Sequence, residues 1–273
     1  MSASSIRVLL SDVDGTLVDS QKALTDASVR AARDLTQANV LLALTSGRPP
    51  RGMSMLIEPL DLQTPIAAFN GGLLVDRNLS VIQQRVLSSE LSAASIALLE
   101  SSGLSVWVYR GSDWYVRDLH GPHIEREQYT VQFAPTLVQS FEDLGDGVAK
   151  VVGVSDDFAA VAQAADAARD RFGEQISASC SQPYYLDITH PQANKGEVVR
   201  FLAAHYAVPI EAIATIGDGP NDTLMFADSG LSIAMGNANP QVQSSAQHLT
   251  SSNDQDGFAE AVERFILTDR HKG

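Results

Sequence analysis

Cysteine occurs once in this sequence, at Cys180, so no disulfide within the chain and no multi-cysteine metal site can form. A lone cysteine suits a reducing compartment. The expectation is a cytoplasmic protein in which Cys180 is a small buried residue rather than a nucleophile. Long apolar runs are absent too. Nothing approaches the ~20 consecutive residues of a membrane span, so no membrane partner is expected. Residues 1–5 lack a basic region and no apolar stretch of leader type follows, which argues against a secretory signal. Positive charge is scarce: 19 Lys and Arg stand against 33 Asp and Glu, for a net charge of −14 without any basic run. Such a surface repels a phosphate backbone, so no nucleic acid is expected as a partner. An anionic small molecule remains compatible if local positive charge or a metal holds it.

What is present is the material of a globular core. The 273 residues are 44% hydrophobic and 19% charged, enough for one large domain or two modest ones. The first third reads strand, helix, strand, helix, strand. Apolar runs at 6–10, 40–44 and 65–69 are the strands, and the unbroken run at 40–44 suggests burial on both faces. Thr25 caps a helix carrying Val29, Ala32 and Leu35, and Pro49-Pro50 precedes a short helix with Met53, Leu56 and Ile57. The last third resumes the rhythm, with strands at 212–216 and 231–235 and helices near 196–206, 224–226 and 256–267. Alternating strands and helices predict an α/β fold with a doubly wound, Rossmann-like parallel sheet. The middle differs: short, often aromatic strands at 81–86, 105–110, 114–116, 150–154 and 184–188, with helices at 89–100 and 158–171. This predicts an inserted α+β domain over 83–187, splitting a core made of 1–82 and 188–273.

Polar groups gather where strands end. Asp12-Val13-Asp14-Gly15-Thr16-Leu17 follows the first strand, and Thr45-Ser46-Gly47-Arg48 follows the second. Asn194-Lys195-Gly196 opens a helix, and Gly217-Asp218-Gly219-Pro220-Asn221-Asp222 follows the strand at 212–216. In a parallel sheet these ends converge on one edge. Two carboxylates one residue apart repel each other and persist most readily beside a cation. Carboxylates, a hydroxyl, a lysine and glycine-rich turns together suit an oxygen-ligated metal and a phosphoryl group.

In this order the four segments resemble the motifs of the haloacid dehalogenase superfamily of phosphohydrolases. The insert resembles the α/β cap of its Cof-like branch, as do Asn70-Gly71-Gly72 and the closing Ser252-Asn253-Asp254-Gln255-Asp256-Gly257. The resemblance implies a Mg2+-dependent phosphatase acting on a small phosphorylated metabolite, favouring a sugar phosphate. It implies Asp12 as nucleophile and Asp14 as acid and base, with Ser46 and Lys195 holding the phosphoryl group. It implies Asp12, Asp14 (through its carbonyl), Asp218 and Asp222 around Mg2+, with Gly47, Asn70 and Asn221 near the substrate. Family members commonly carry Thr before Gly-Arg. Here Ser46 stands there with Thr45 one place earlier, and strand alternation is expected to turn Thr45 away.

Each group also has a plainer explanation. Asp-Gly is a common turn, Lys195 could be a solvated helix-start residue, and Asp218 and Asp222 could cap the helix that follows. Arg48 reads as a contact between core and cap or a surface charge. His120, His123 and Arg126 read as solvated, and Trp107, Trp114, Tyr184 and Tyr185 as packing of the insert. Rival functions are a sugar phosphomutase, or a non-catalytic regulator that binds a phosphometabolite. The sequence leaves the oligomeric state open.

Overall fold

The computed structural model describes residues 6–267; residues 1–5, where a leader was sought, and 268–273 lie outside the described residues. The chain opens with β1 (Val8–Asp12), α1 (Asp26–Gln37) and β2 (Leu41–Thr45), then a 3-10 turn at Pro50–Leu56. It continues through β3 (Ile66–Ala68), β4 (Leu73–Val75) and β5 (Val81–Gln84). The middle supplies α2 (Ser89–Ser101), β6 (Ser105–Arg110), β7 (Asp113–Val116), α3 (Ile124–Val131), β8 (Thr136–Leu137) and β9 (Val148–Val154). After α4 (Phe158–Phe172), β10 (Ser177–Gln182) and β11 (Tyr185–Thr189) come α5 (Lys195–His205), β12 (Ile213–Gly217) and α6 (Thr223–Ala227). The chain ends with β13 (Leu231–Ala234), α7 (Pro240–Ser245), β14 (His248–Leu249) and α8 (Gly257–Ala261), which runs on as a π-helical turn to Leu267.

The first sheet has eight strands in the order β14-β13-β12-β1-β2-β3-β4-β5. The six from β14 to β3 are parallel, as the alternating pattern predicted, and β4 and β5 are added antiparallel at one edge. Apolar residues point both ways from these strands. Val8, Leu10, Ala43 and Ile213 pack under Val199 and Leu202 of α5 and Met225 of α6. Leu9, Leu42 and Leu44 pack under Leu35 of α1 and Phe258 of α8. Burial on both faces explains why the strands read as continuous apolar runs. The chain winds outward from β1 to β2 and β3, then resumes on β1's other side with β12. That reversal falls between β1 and β12, where open α/β sheets form their ligand crevice.

The second sheet runs β10-β11-β9-β6-β7-β8. One face is covered by α2 and α4; the other carries Trp107, Tyr109, Trp114 and Tyr185, which join one apolar cluster with Met53 and Phe69 of the first unit. Polar contacts also cross between them: Tyr129 Oη donates to the Gln21 carbonyl at 3.0 Å, and the Arg51 guanidinium lies 4.6 Å from the centre of the Phe133 ring. Residues 83 and 187 fall inside β5 and β11, and among the described residues β5 pairs only with β4 of the first sheet. Cys180 corrects an expectation: it is exposed, on β10, an outermost strand of largely polar sequence. Among the described residues no helix is long and apolar enough to cross a membrane.

Candidate active site

The carboxyl ends of β1, β2 and β12 meet the start of α5. At the end of β1 the chain turns sharply: Leu17 and Val18 N–H donate back to the Val13 carbonyl at 3.0 and 3.1 Å. Gly15 has φ +83, and a Cβ there would lie 2.3 Å from Asp218 Oδ2, so only glycine lets the two acidic turns approach. After β12 the chain folds over Asp222. Its Oδ2 accepts the N–H groups of Asp218 and Gly219, both at 2.8 Å, and a Cβ on Gly217 would lie 2.3 Å from its Cγ.

Lys195 is the hub. Its Nζ is fully buried and donates to Asp12 Oδ1 at 2.6 Å and to Asp222 Oδ1 at 2.5 Å. Asn194 caps α5 by accepting the Glu197 N–H, which fixes the turn from which Lys195 projects. Two carboxylates at contact distance hold the ammonium charged, above its ordinary range, although burial works against that. Asp218 completes the group: Thr16 Oγ1 donates to its Oδ1 at 2.9 Å and Asn237 Nδ2 to its Oδ2 at 3.2 Å.

Asp12, Asp218 and Asp222 each bring a carboxylate oxygen within 4.8 Å of the others. Three carboxylates against one ammonium leave an excess of negative charge in a buried place. Burial, then the charges of Asp222 and Asp218, raise the Asp12 carboxyl even though Lys195 opposes them. Burial and the Asp222 charge likewise push Asp218 up to about 6. A dication among these oxygens would remove that repulsion, and the donor set suits a hard metal. Asp222 contributes least freely, since it is fully buried and its oxygens already accept three hydrogen bonds.

Asp14 turns from that cluster to another. Arg48 holds it through Nε and Nη2, both at 2.7 Å, and Lys22 Nζ lies 2.7 Å from Oδ1. Burial would raise Asp14, but these cations hold it down at about 2. Arg48 itself is only 5% exposed and also donates to the Gly52 carbonyl, so it is a buried clamp on Asp14, not a surface charge or cap contact. Sequence gave no sign of this pairing, nor of Lys22 or Asn237. Thr16 sat in plain view within the first motif.

Of the paired hydroxyls, Ser46 Oγ accepts the Arg48 N–H at 3.1 Å, leaving its own hydrogen for another acceptor. Thr45 is not turned away as alternation suggested. It lies level with Asp12 in the parallel pair, on the same sheet face, and its Oγ1 is buried without a hydrogen-bond partner. Asn221 Nδ2 donates to Asn70 Oδ1 at 3.0 Å, and Gly47 faces the Asn70 amide, so these three residues are neighbours. His123 lies elsewhere, stacked on Tyr184 and bonded to Asp156, and His120 is exposed.

A sequence profile of haloacid dehalogenase-like hydrolases matches residues 9–262. Over 280 residues the chain is 24% identical to 5-amino-6-(5-phospho-D-ribitylamino)uracil phosphatase YwtE of Bacillus subtilis, covering 93% of this chain and 96% of that protein. It superposes on a haloacid dehalogenase-like hydrolase from Bacteroides thetaiotaomicron with a TM-score of 0.87 and 26% identity, covering 95% of this chain and 99% of that one. The fold is also that of the HAD subclass IIB sugar phosphatase BT4131, with a TM-score of 0.82 at 21% identity over 95% and 98% of the two chains. The motif order, the two-sheet architecture and the profile match agree: this chain belongs to the haloacid dehalogenase-like hydrolase family.

Proposed function

We propose that the protein is a Mg2+-dependent phosphatase that hydrolyses a small phosphorylated metabolite, with a sugar phosphate favoured, through an aspartyl-phosphate on Asp12. The buried junction of Asp12, Lys195, Asp222 and Asp218 at the reversal of the sheet carries this reading. A structural ion pair has no need of three carboxylates around one ammonium. A site that handles a metal and a phosphoryl dianion does. Asp12, the Asp14 carbonyl, Asp218 and Asp222 would hold the metal. Bound there, Mg2+ would neutralise the acidic excess and polarise a phosphoryl oxygen.

Asp12 attacks phosphorus, and the ester P–O bond breaks as Asp14 gives a proton to the departing alkoxide. Asp14 then takes a proton from water, whose oxygen attacks phosphorus and breaks the bond to Asp12, releasing inorganic phosphate. Lys195 steadies Asp12 and offsets charge on the transferring group, while Ser46 donates its free hydrogen and Gly47, Asn70 and Asn221 line the approach. Arg48 and Lys22 keep Asp14 ionised, so its turn as an acid requires that clamp to loosen when substrate enters. Residues 83–187 act as the cap that closes over the reacting group and excludes water. A cytoplasmic setting suits the exposed lone thiol. The test is Asp12→Asn, assayed with an aryl phosphate and Mg2+. Phosphate release is lost while circular dichroism is unchanged, and a chelator stops the wild type. Wild-type turnover in the variant would sink the covalent route.

A further inference from the structure

Ser252-Asn253-Asp254-Gln255-Asp256-Gly257 follows β14 at one edge of the first sheet, with β13 and β12 standing between it and β1. It nonetheless reaches the loop that leaves β1. Asn253 Nδ2 donates to the Val18 carbonyl at 3.0 Å, and Asp254 Oδ1 accepts the Ser20 N–H at 2.8 Å. Asp256 Oδ1 accepts the Thr25 hydroxyl at 2.7 Å, at the cap of α1. The braced loop carries Thr16 and Lys22, the partners of Asp218 and Asp14.

Asn237, just past β13, joins this brace to the acidic cluster. Its Nδ2 donates to the Gly15 carbonyl at 2.9 Å and to Asp218 Oδ2 at 3.2 Å, while its Oδ1 accepts the Asn253 N–H at 3.0 Å. These partners decide which way the amide faces. A backbone carbonyl and a carboxylate accept, and a backbone N–H donates, so a flipped amide would lose all three bonds. Asn237 is exposed to water, so its orientation rests on them.

Asp218 needs such a hold. It is half-buried beside Asp12 and Asp222, and when all three are ionised their repulsion favours swinging it out to solvent. Thr16 on Oδ1 and Asn237 on Oδ2 keep it in place, and each oxygen retains a lone pair for a cation. Resting on the phosphatase reading, we infer that Asn237 is a positioning residue for the divalent ion, holding the Asp218 carboxylate ready, and that residues 252–257 act through Asn253 to hold Asn237. The segment thus serves the metal site without touching it. A carboxylate already in place spends none of the binding free energy on being ordered, so the brace shows itself in metal affinity. Removing a group that orients a metal ligand typically weakens binding by about ten- to a hundredfold.

The experiment measures Mn2+ binding at pH 7.5, from the electron paramagnetic resonance signal of the free ion, in the wild type, Asn237→Ala, Asn253→Ala and the double variant. Asn237 is exposed, so Asn237→Ala folds and keeps the test open even if Asn253→Ala does not. Asn237→Ala raises the Kd by about tenfold and Asn253→Ala by about threefold. The double variant is no weaker than Asn237→Ala, because both losses pass through one amide. The Mg2+ concentration for half-maximal release of phosphate from p-nitrophenyl phosphate rises by the same factors. A role confined to stability would lower Tm and leave the Kd where it is. An unmoved Kd in Asn237→Ala overturns the role of Asn237, and factors that multiply in the double variant overturn the relay through Asn253. In both cases Mn2+ binding and phosphate release by the wild type leave the phosphatase reading standing. A wild type that binds no Mn2+ overturns both.

Discussion

Asp12 and Asp14 are two residues apart and sit in opposite electrostatic surroundings. Asp12 is raised by burial beside Asp222 and Asp218, whereas Asp14 is held at about 2 by Arg48 and Lys22. The sequence made both acids visible, because paired carboxylates at a strand end have few plain explanations. It hid the clamp, because Arg48 lies 34 residues from its partner and a lone arginine after a glycine looks like any surface charge. Arg48→Met keeps much of the buried stem and removes both bonds to Asp14. At pH 7 it lowers stability by about 2 kcal/mol, the scale of hydrogen bonds to a charged group. Asp14 is depressed from an ordinary 3.8, so the stabilisation is full above pH 4 and is lost as pH falls through about 2. Denaturant melts of wild type and variant therefore converge toward pH 2. A gap that stays constant from pH 7 to pH 2 would mean that Arg48 stabilises through packing and its bond to the Gly52 carbonyl, not through Asp14.

Elements announced themselves where local chemistry and burial agreed. The strands β1, β2 and β12 read clearly because both faces are covered, and α1 because Thr25 does accept the Ser28 N–H. α3 lacked such a signal: its flanking His123 and Gln132 both have left-handed backbones, and no side chain caps its start. β4 is three residues long behind Asn70, whose φ is 57, and β10 is a run of Ser, Ala, Cys and Gln that exists because β11 pairs with it. Among these elements α5 ties fold to site most directly, since its cap Asn194 precedes Lys195. Asn194→Ala costs about 1 kcal/mol, the usual worth of an N-cap, and lowers kcat/KM for any phosphate ester by loosening the first turn. Asn194→Ser restores the cap and both quantities. Loss of activity in Asn194→Ala that serine does not restore would place the asparagine in contact with substrate instead.

For the whole molecule, the acidic balance concentrates where the chain can least disperse it. A net charge of −14 surrounds a buried site with three carboxylates and one lysine. Sequence predicted the convergence of those acids, because motifs that follow β1 and β12 in a parallel sheet share an edge. It could not supply their balance, which depends on which oxygen each donor reaches. Asp218 illustrates the consequence. Its carboxyl is raised from 3.8 to about 6 in the fold, so between those values the folded protein keeps a proton that the unfolded chain has released. Asp218's share of the metal-free stability is therefore full below pH 4 and declines as pH rises through about 6. A divalent ion needs the same carboxylate unprotonated, so its stabilisation grows over the window in which the proton leaves. At a hundred times its Kd a ligand adds about 2.7 kcal/mol, which for a chain of this size is a rise of several degrees in Tm. Thermal melts at pH 5 and pH 7.5, with Mg2+ and with chelator, should show that rise at pH 7.5 and little of it at pH 5. Asp218→Asn subtracts the other titrating groups: it flattens the metal-free decline and abolishes most of the Mg2+ effect. If Mg2+ moves wild type and Asp218→Asn equally at pH 7.5, the cation binds outside the Asp12, Asp218 and Asp222 cluster, and their acidity has another cause.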